Sequence, residues 1–175
     1  MRATVALVRE VGYAGLTIEE IARRAGVAKT TIYRRWENKG LLVYEAIFTR
    51  TESAPLPETG SFEGDLRVAV ANLVAEFSSP EAAAALPGLL ADFGRDTRLR
   101  QLIRERFLPP ARGYVGAILE RARERGEIGE EVSGDVVFEA LGGAVFFRTV
   151  IVGEPPSERI IDELVELVLN GVRPA

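Results

Sequence analysis

Thr17-Ile-Glu-Glu-Ile-Ala-Arg-Arg-Ala-Gly26-Val-Ala-Lys-Thr-Thr-Ile-Tyr-Arg-Arg-Trp36 decides the fold. Its first four residues form a capping box: the Thr17 hydroxyl can accept from the amide three residues on while Glu20 reaches back, so a helix starts at 18. Ile18, Ile21, Ala22 and Ala25 share one face, and Gly26 stands where a left-handed residue closes the helix and turns the chain. A second, short helix then starts near Ala28. Ile32 points at a small core with Ile21 and Val27, which leaves Lys29, Thr30, Thr31, Tyr33 and Arg34 on or beside the outward face. So short a helix needs neighbours to hold it. Trp36, Leu41 and Leu42 anchor it from below, with Val5, Leu7 and Val8 from a preceding helix.

Working outward, helical spacing recurs almost everywhere and no stretch alternates long enough to read as strand, so the fold is predicted to be all-α. About ten helices are expected, near 2–11, 18–25, 29–35, 39–52, 62–78, 81–92, 96–106, 108–126, 134–152 and 157–170. The clearest break is Ser53-Ala-Pro-Leu-Pro-Glu-Thr-Gly60, where two prolines and a glycine stop a helix. It divides an N-terminal helix-turn-helix domain with its connecting helix (1–50) from a larger helical domain (51–175).

With 47% apolar residues the 175-residue chain can bury a real core. It has no cysteine and no histidine, which removes disulfides, thiol catalysis, tetrahedral zinc and the usual neutral-pH general base. No phosphate-binding glycine loop or nucleophile elbow appears either. No enzyme activity, cofactor or metal is expected. The longest apolar run, Val136 to Val152, carries Glu139 and Arg148 and is shorter than the roughly 20 residues a spanning helix needs. It reads as a buried helix in a cytoplasmic protein. The net charge of −4 hides an asymmetry. Residues 1–50 carry nine basic and five acidic side chains, a net of +4, which leaves −8 for the other 125. A basic head on an acidic body suits local neutralisation of phosphates.

The outward residue types of the second helix suit a major groove: lysine and arginine for phosphate or guanine, threonine for base edges and the thymine methyl, tyrosine for phosphate. By residue type alone they are equally well read as solvated side chains of a surface helix. Their order carries more. Gly12-Tyr13, Thr17-Ile18, Ile21-Ala22, Ala25 through Trp36, Asn38-Lys39 and Leu42 together closely resemble the DNA-binding domain of the tetracycline-repressor-like (TetR/AcrR) family of bacterial regulators. The resemblance implies that Thr17 caps its helix against a phosphate, that Lys29, Thr30 and Thr31 face the groove with Arg34 beside them, and that Tyr33 and Lys39 grip phosphates. Four positions depart from the family pattern: Ala28 for a hydroxyl cap, Thr30 for glycine, Trp36 for phenylalanine and Gly40 for an acid. The first helix also starts almost at Met1, where the resemblance implies a longer, basic arm, so a truncated or alternatively started chain is expected.

In the body, Ala140, Gly142, Gly143 and Ala144 lie mid-way along a helix that is apolar nearly all round. The last helix carries an apolar stripe wider than one partner needs. The resemblance implies that these two helices pair with their two-fold mates, and Gly143, Phe147, Ile161, Leu164, Val165 and Val168 are the expected homodimer contacts. A small, largely apolar effector is expected among helices 62–126 and the start of the next, on Asn72, Phe77, Leu90, Phe93, Tyr114, Ile118 and Arg148. Each of these alone also reads as ordinary core. Arg148 needs a partner, either Glu139 of a second copy, a nearby acid or an anionic ligand. The expected whole is a homodimeric, ligand-released repressor of a palindromic double-stranded DNA operator. The alternative is a helical protein-docking dimer that has lost DNA binding.

Overall fold

Helix starts are fixed by side chains sitting just before them. In the computed structural model, which describes residues 1–51, 53–153 and 157–172, Thr17, Asn38, Ser61, Ser79, Asp96 and Ser133 each accept from the amide three positions on, and each opens a helix. Such a cap contributes about 1 kcal/mol. The helices are α1 (Arg2–Gly15), α2 (Ile18–Ala25), α3 (Lys29–Tyr33), α4 (Lys39–Ile47), α5 (Phe62–Phe77), α6 (Pro80–Arg95), α7 (Thr97–Arg106), α8 (Leu108–Glu124), α9 (Gly134–Phe146) and α10 (Glu158–Val172). A π-helical turn, Phe147–Val152, continues α9. Among the described residues there is no strand, as expected from the helical spacing. None of these helices is long and apolar enough to cross a membrane.

The chain forms two compact units. The first is Met1–Thr49 with Ser79–Leu108, so that α6 and α7 pack with α1 to α4. α1 leaves helical geometry at Gly12 (φ 66°), next to the expected end at 11, and this left-handed step turns Tyr13 inward. α6 lies on α1 and α4, and α7 lies on α4. Leu41, Leu99, Leu102, Ile103 and Phe107 form one buried cluster, with Trp36, Tyr44 and Phe93 along its edge.

The second unit is Arg50–Ser78 with the described residues from Pro109 onward. Phe62, Leu66 and Val70 of α5 meet Ile118 and Leu119 of α8, Leu141 and Val145 of α9, and Leu164 and Val165 of α10. The proline-rich break is pinned here by Asp65, which is fully buried and accepts from both the amide and hydroxyl of Thr59 at 2.8 Å. Burial pushes the Asp65 carboxyl up, but those hydrogen bonds and the Arg121 and Arg125 guanidiniums outweigh it and hold it below the ordinary value.

α4 ends at Ile47, short of the expected 52. The Thr49 hydroxyl donates back to the Glu45 carbonyl at 2.8 Å. The amides of Arg50 and Thr51, which a longer helix would use internally, donate instead to the Glu76 carboxylate at 2.8 and 2.9 Å.

Candidate nucleic-acid interface

α2 and α3 meet through a tight turn. Gly26 is left-handed (φ 67°), its amide donates to Arg23 O, and the Val27 amide reaches back to Ala22 O at 3.0 Å. These two bonds satisfy the last carbonyls of α2 and swing the chain into α3. Ile32 is buried with Ile21 and Ala22, as expected, but Val27 is exposed, because the turn carries it past the small core. Only half of the capping box forms. Thr17 accepts from the Glu20 amide at 3.2 Å, whereas the Glu20 carboxylate is taken by Arg23 at 2.9 and 2.5 Å. Ala28 gives α3 no side-chain cap.

With Ile32 as the inward pin, Lys29, Thr30, Thr31, Tyr33 and Arg34 are all exposed, as is Thr17 at the head of α2. Lys29 is not simply extended into solvent. Its ammonium lies 2.6 Å from Glu19 Oε1, a hydrogen bond that lowers the Glu19 carboxyl and raises the Lys29 ammonium from their ordinary values. Lys39 is held as well, its Nζ donating to the Tyr13 carbonyl at 2.9 Å and lying 4.3 Å from the Tyr13 ring centroid. Glu19 and Tyr13, the two partners, lie 10 and 26 positions away from these lysines and escaped the sequence reading as such. Between α3 and α4, Trp36 Nε1 donates to Glu45 at 2.8 Å and Arg35 reaches the same carboxylate at 2.6 Å, which fixes the Asn38-capped start of α4.

The family comparisons bear directly on this head. Residues 1–46 match the family described as bacterial regulatory proteins, tetR family, and residues 56–168 match the tetracyclin repressor-like C-terminal domain. The chain belongs to the tetR family. An uncharacterized HTH-type transcriptional regulator, YdeS of Bacillus subtilis strain 168, is 30% identical over 174 residues, 99% of this chain and 87% of that one. The DNA-binding transcriptional repressor TetR of Mycobacteroides abscessus is 29% identical over 165 residues, 93% and 85% of the two chains. The crystal structure of the TetR family transcription regulator SCO0332 superposes with a TM-score of 0.80 at 30% identity, covering 98% and 95%. This tetR-family chain is a transcriptional regulator with a helix-turn-helix DNA-binding domain.

Its other expected sites divide. Leu90 and Phe93 lie on α6 in the first unit, while Asn72, Phe77, Tyr114, Ile118 and Arg148 lie in the second. Ile118 is solid core, Phe77 packs on that core, and the Tyr114 hydroxyl is buried without a hydrogen bond of ordinary geometry, although Asn72 lies near it. Burial raises the Tyr114 hydroxyl above the ordinary phenol value. Asn72 lines a cavity of about 200 Å³ with Arg50, Thr51, Ala54, Ala75 and Glu76. Arg148 lies 3.7 Å from Glu163, a nearby acid of its own unit, and within the chain Glu139 lies 3.2 Å from Arg112. Of the expected dimer contacts, Leu164, Val165 and Val168 are buried in the chain's own core and Ile161 packs against it. Gly143 and Phe147 (58% exposed) are exposed, and with Val136 (63%) and Ile151 (61%) they form an outward apolar stripe on α9 and its π turn.

Proposed function

We propose that this regulator is a repressor that binds a palindromic operator as a homodimer and lets go when a small, largely apolar effector binds. The observation that carries the reading is the outward face of α3: five polar side chains suited to DNA, exposed around one buried isoleucine, in a head of net charge +4. Lys29, Thr30 and Thr31 read base edges, with Arg34 beside them. Thr17, Tyr33 and Lys39 hold the backbone. One such helix reads only a few base pairs, so two must act together about one DNA turn (~34 Å) apart. The exposed stripe of Val136, Gly143, Phe147 and Ile151 is the surface on which a second copy packs. The named repressor of Mycobacteroides abscessus supports the sign of regulation.

For the effector, the buried Tyr114 hydroxyl in apolar surroundings, with Asn72 beside it, supports a ligand that is mostly hydrocarbon with one hydrogen-bonding group. It works only by binding the released state more tightly than the DNA-bound one. The effector acts by tilting α4 and so changing the spacing of the two heads.

Selection of sites from a randomised duplex pool, run at one salt concentration on wild type and Lys29→Ala, tests the reading. The expected result is a two-fold symmetric site, and Lys29→Ala flattens preference at one position of each half, a loss of about 1–3 kcal/mol of discrimination there. A pool from which no sequence is enriched would leave the protein-docking dimer as the function. An unchanged preference in Lys29→Ala would move base reading to the threonines or Arg34.

A further inference from the structure

Tyr13 is buried in the first unit, and two residues each of α6 and α4 converge on it. From α6, a Cβ added at Gly88 would overlap the ring, so the helix backbone itself lies against Tyr13. One turn later on the same helix, Asp92 accepts a hydrogen bond from the Tyr13 hydroxyl. From α4, the Lys39 ammonium sits over the ring and on the Tyr13 carbonyl. Gly40 brings the start of α4 in closely: a Cβ there would lie 3.1 Å from the Tyr13 hydroxyl oxygen and 2.7 Å from a methyl of Leu99. Asp92 is half-buried, and its carboxylate is taken by the Tyr13 hydroxyl.

We propose that Tyr13 and Asp92 are positioning residues for operator binding: α6 fixes the Tyr13 ring, and the ring and carbonyl together hold the Lys39 ammonium ready for a DNA phosphate. The proposal rests on the reading of Lys39 as a phosphate contact. A free lysine loses its rotamer freedom when it meets DNA, whereas one already held at its root loses less. The aromatic face holds a cation without a counter-charge, and an ammonium has three N–H donors, so a phosphate can accept from Lys39 while the ring and carbonyl keep it in place. The hydroxyl donated to a carboxylate makes the ring richer in electrons and the hold firmer.

The chain has only two lysines, Lys29 and Lys39, so the full protein labelled at lysine gives two sets of side-chain resonances. The Lys39 methylene protons are expected upfield of those of Lys29 from the Tyr13 ring current. They should move toward ordinary positions in Tyr13→Leu and stay upfield when operator duplex is added to wild type. In titrations at fixed salt, Tyr13→Phe and Asp92→Asn should each weaken binding to every sequence alike by about 3- to 10-fold. Neither should weaken it further in a Lys39→Ala background. Lys39→Ala alone should reduce the salt slope by ~1. Losses that persist undiminished in the Lys39→Ala background would make Tyr13 and Asp92 merely structural and overturn the proposal, as would unshifted Lys39 protons in the free protein. A normal salt slope in Lys39→Ala with the upfield shift intact would instead remove the phosphate reading, and the proposal with it.

Discussion

α9 and α10 carry similar apolar loads and use them in opposite ways. α10 turns Leu164, Val165 and Val168 into its own unit's core, whereas α9 and its π turn leave Val136, Phe147 and Ile151 facing out. On α10 the adjacent pairs at 160–161, 164–165 and 168–169 enter or pack on the core, and of its wide stripe Leu167 (66% exposed) is left outside. α9 is apolar nearly all round, so after Val137, Leu141 and Val145 have entered the core another side remains uncovered. An apolar count therefore says how much surface a helix must bury, and the angular spread says whether its own chain suffices.

A charge at Leu164 (5% exposed) is the harshest way to break this contrast. Leu164→Glu should cost about 3–5 kcal/mol, from a lost core side chain and an unpaired buried carboxylate, and leave much of the chain unfolded. Thermal melting followed by circular dichroism reads this, and a wild-type melt would mean that α10 does not face the core. The same substitution on the other helix should behave differently. Phe147→Glu should keep the melting temperature within a few degrees but yield monomers by sedimentation. Operator affinity should fall about 100-fold as the two heads lose their linkage. An intact dimer in that variant would take the stripe out of self-association.

The smallest expected effect sharpens the second unit rather than its surface. Burial pushes the Glu76 carboxyl above its ordinary value, outweighing the Arg50 and Thr51 donors that favour the charge. The folded chain then holds this proton more tightly than the unfolded one. The contribution is complete below the ordinary value of 4.5 and is lost as pH rises through the raised value. Urea unfolding of wild type and Glu76→Gln from about pH 4 to 8 should show a difference that changes over that window. A difference constant with pH would mean that the carboxyl titrates normally.

Much of the helical framework was legible because its determinants are local. Thr17 and Asn38 each cap within three residues, and Gly26 closes α2 within its own turn. The ordered motif around Lys29 and Tyr33 made the head recognisable where residue types alone left it open. What stayed hidden depends on partners distant in sequence. Glu76 takes the amides of Arg50 and Thr51, Glu19 holds Lys29, and Tyr13 holds Lys39. Glu20 had two local claims on it, the Thr17 amide and Arg23, and the guanidinium won. The direction of each α10 side chain was equally out of reach, since the stripe fixes a face but not what lies against it.

Both lysines stand in the DNA-binding head, and 125 residues beyond position 50 hold none. For anyone attaching this protein to a surface, that placement decides the orientation. Amine-coupling chemistry can seize a side chain only at Lys29 or Lys39, so under the proposed reading every side-chain tether would occupy a group meant for the operator. The DNA strand, not the protein, should be the immobilised partner.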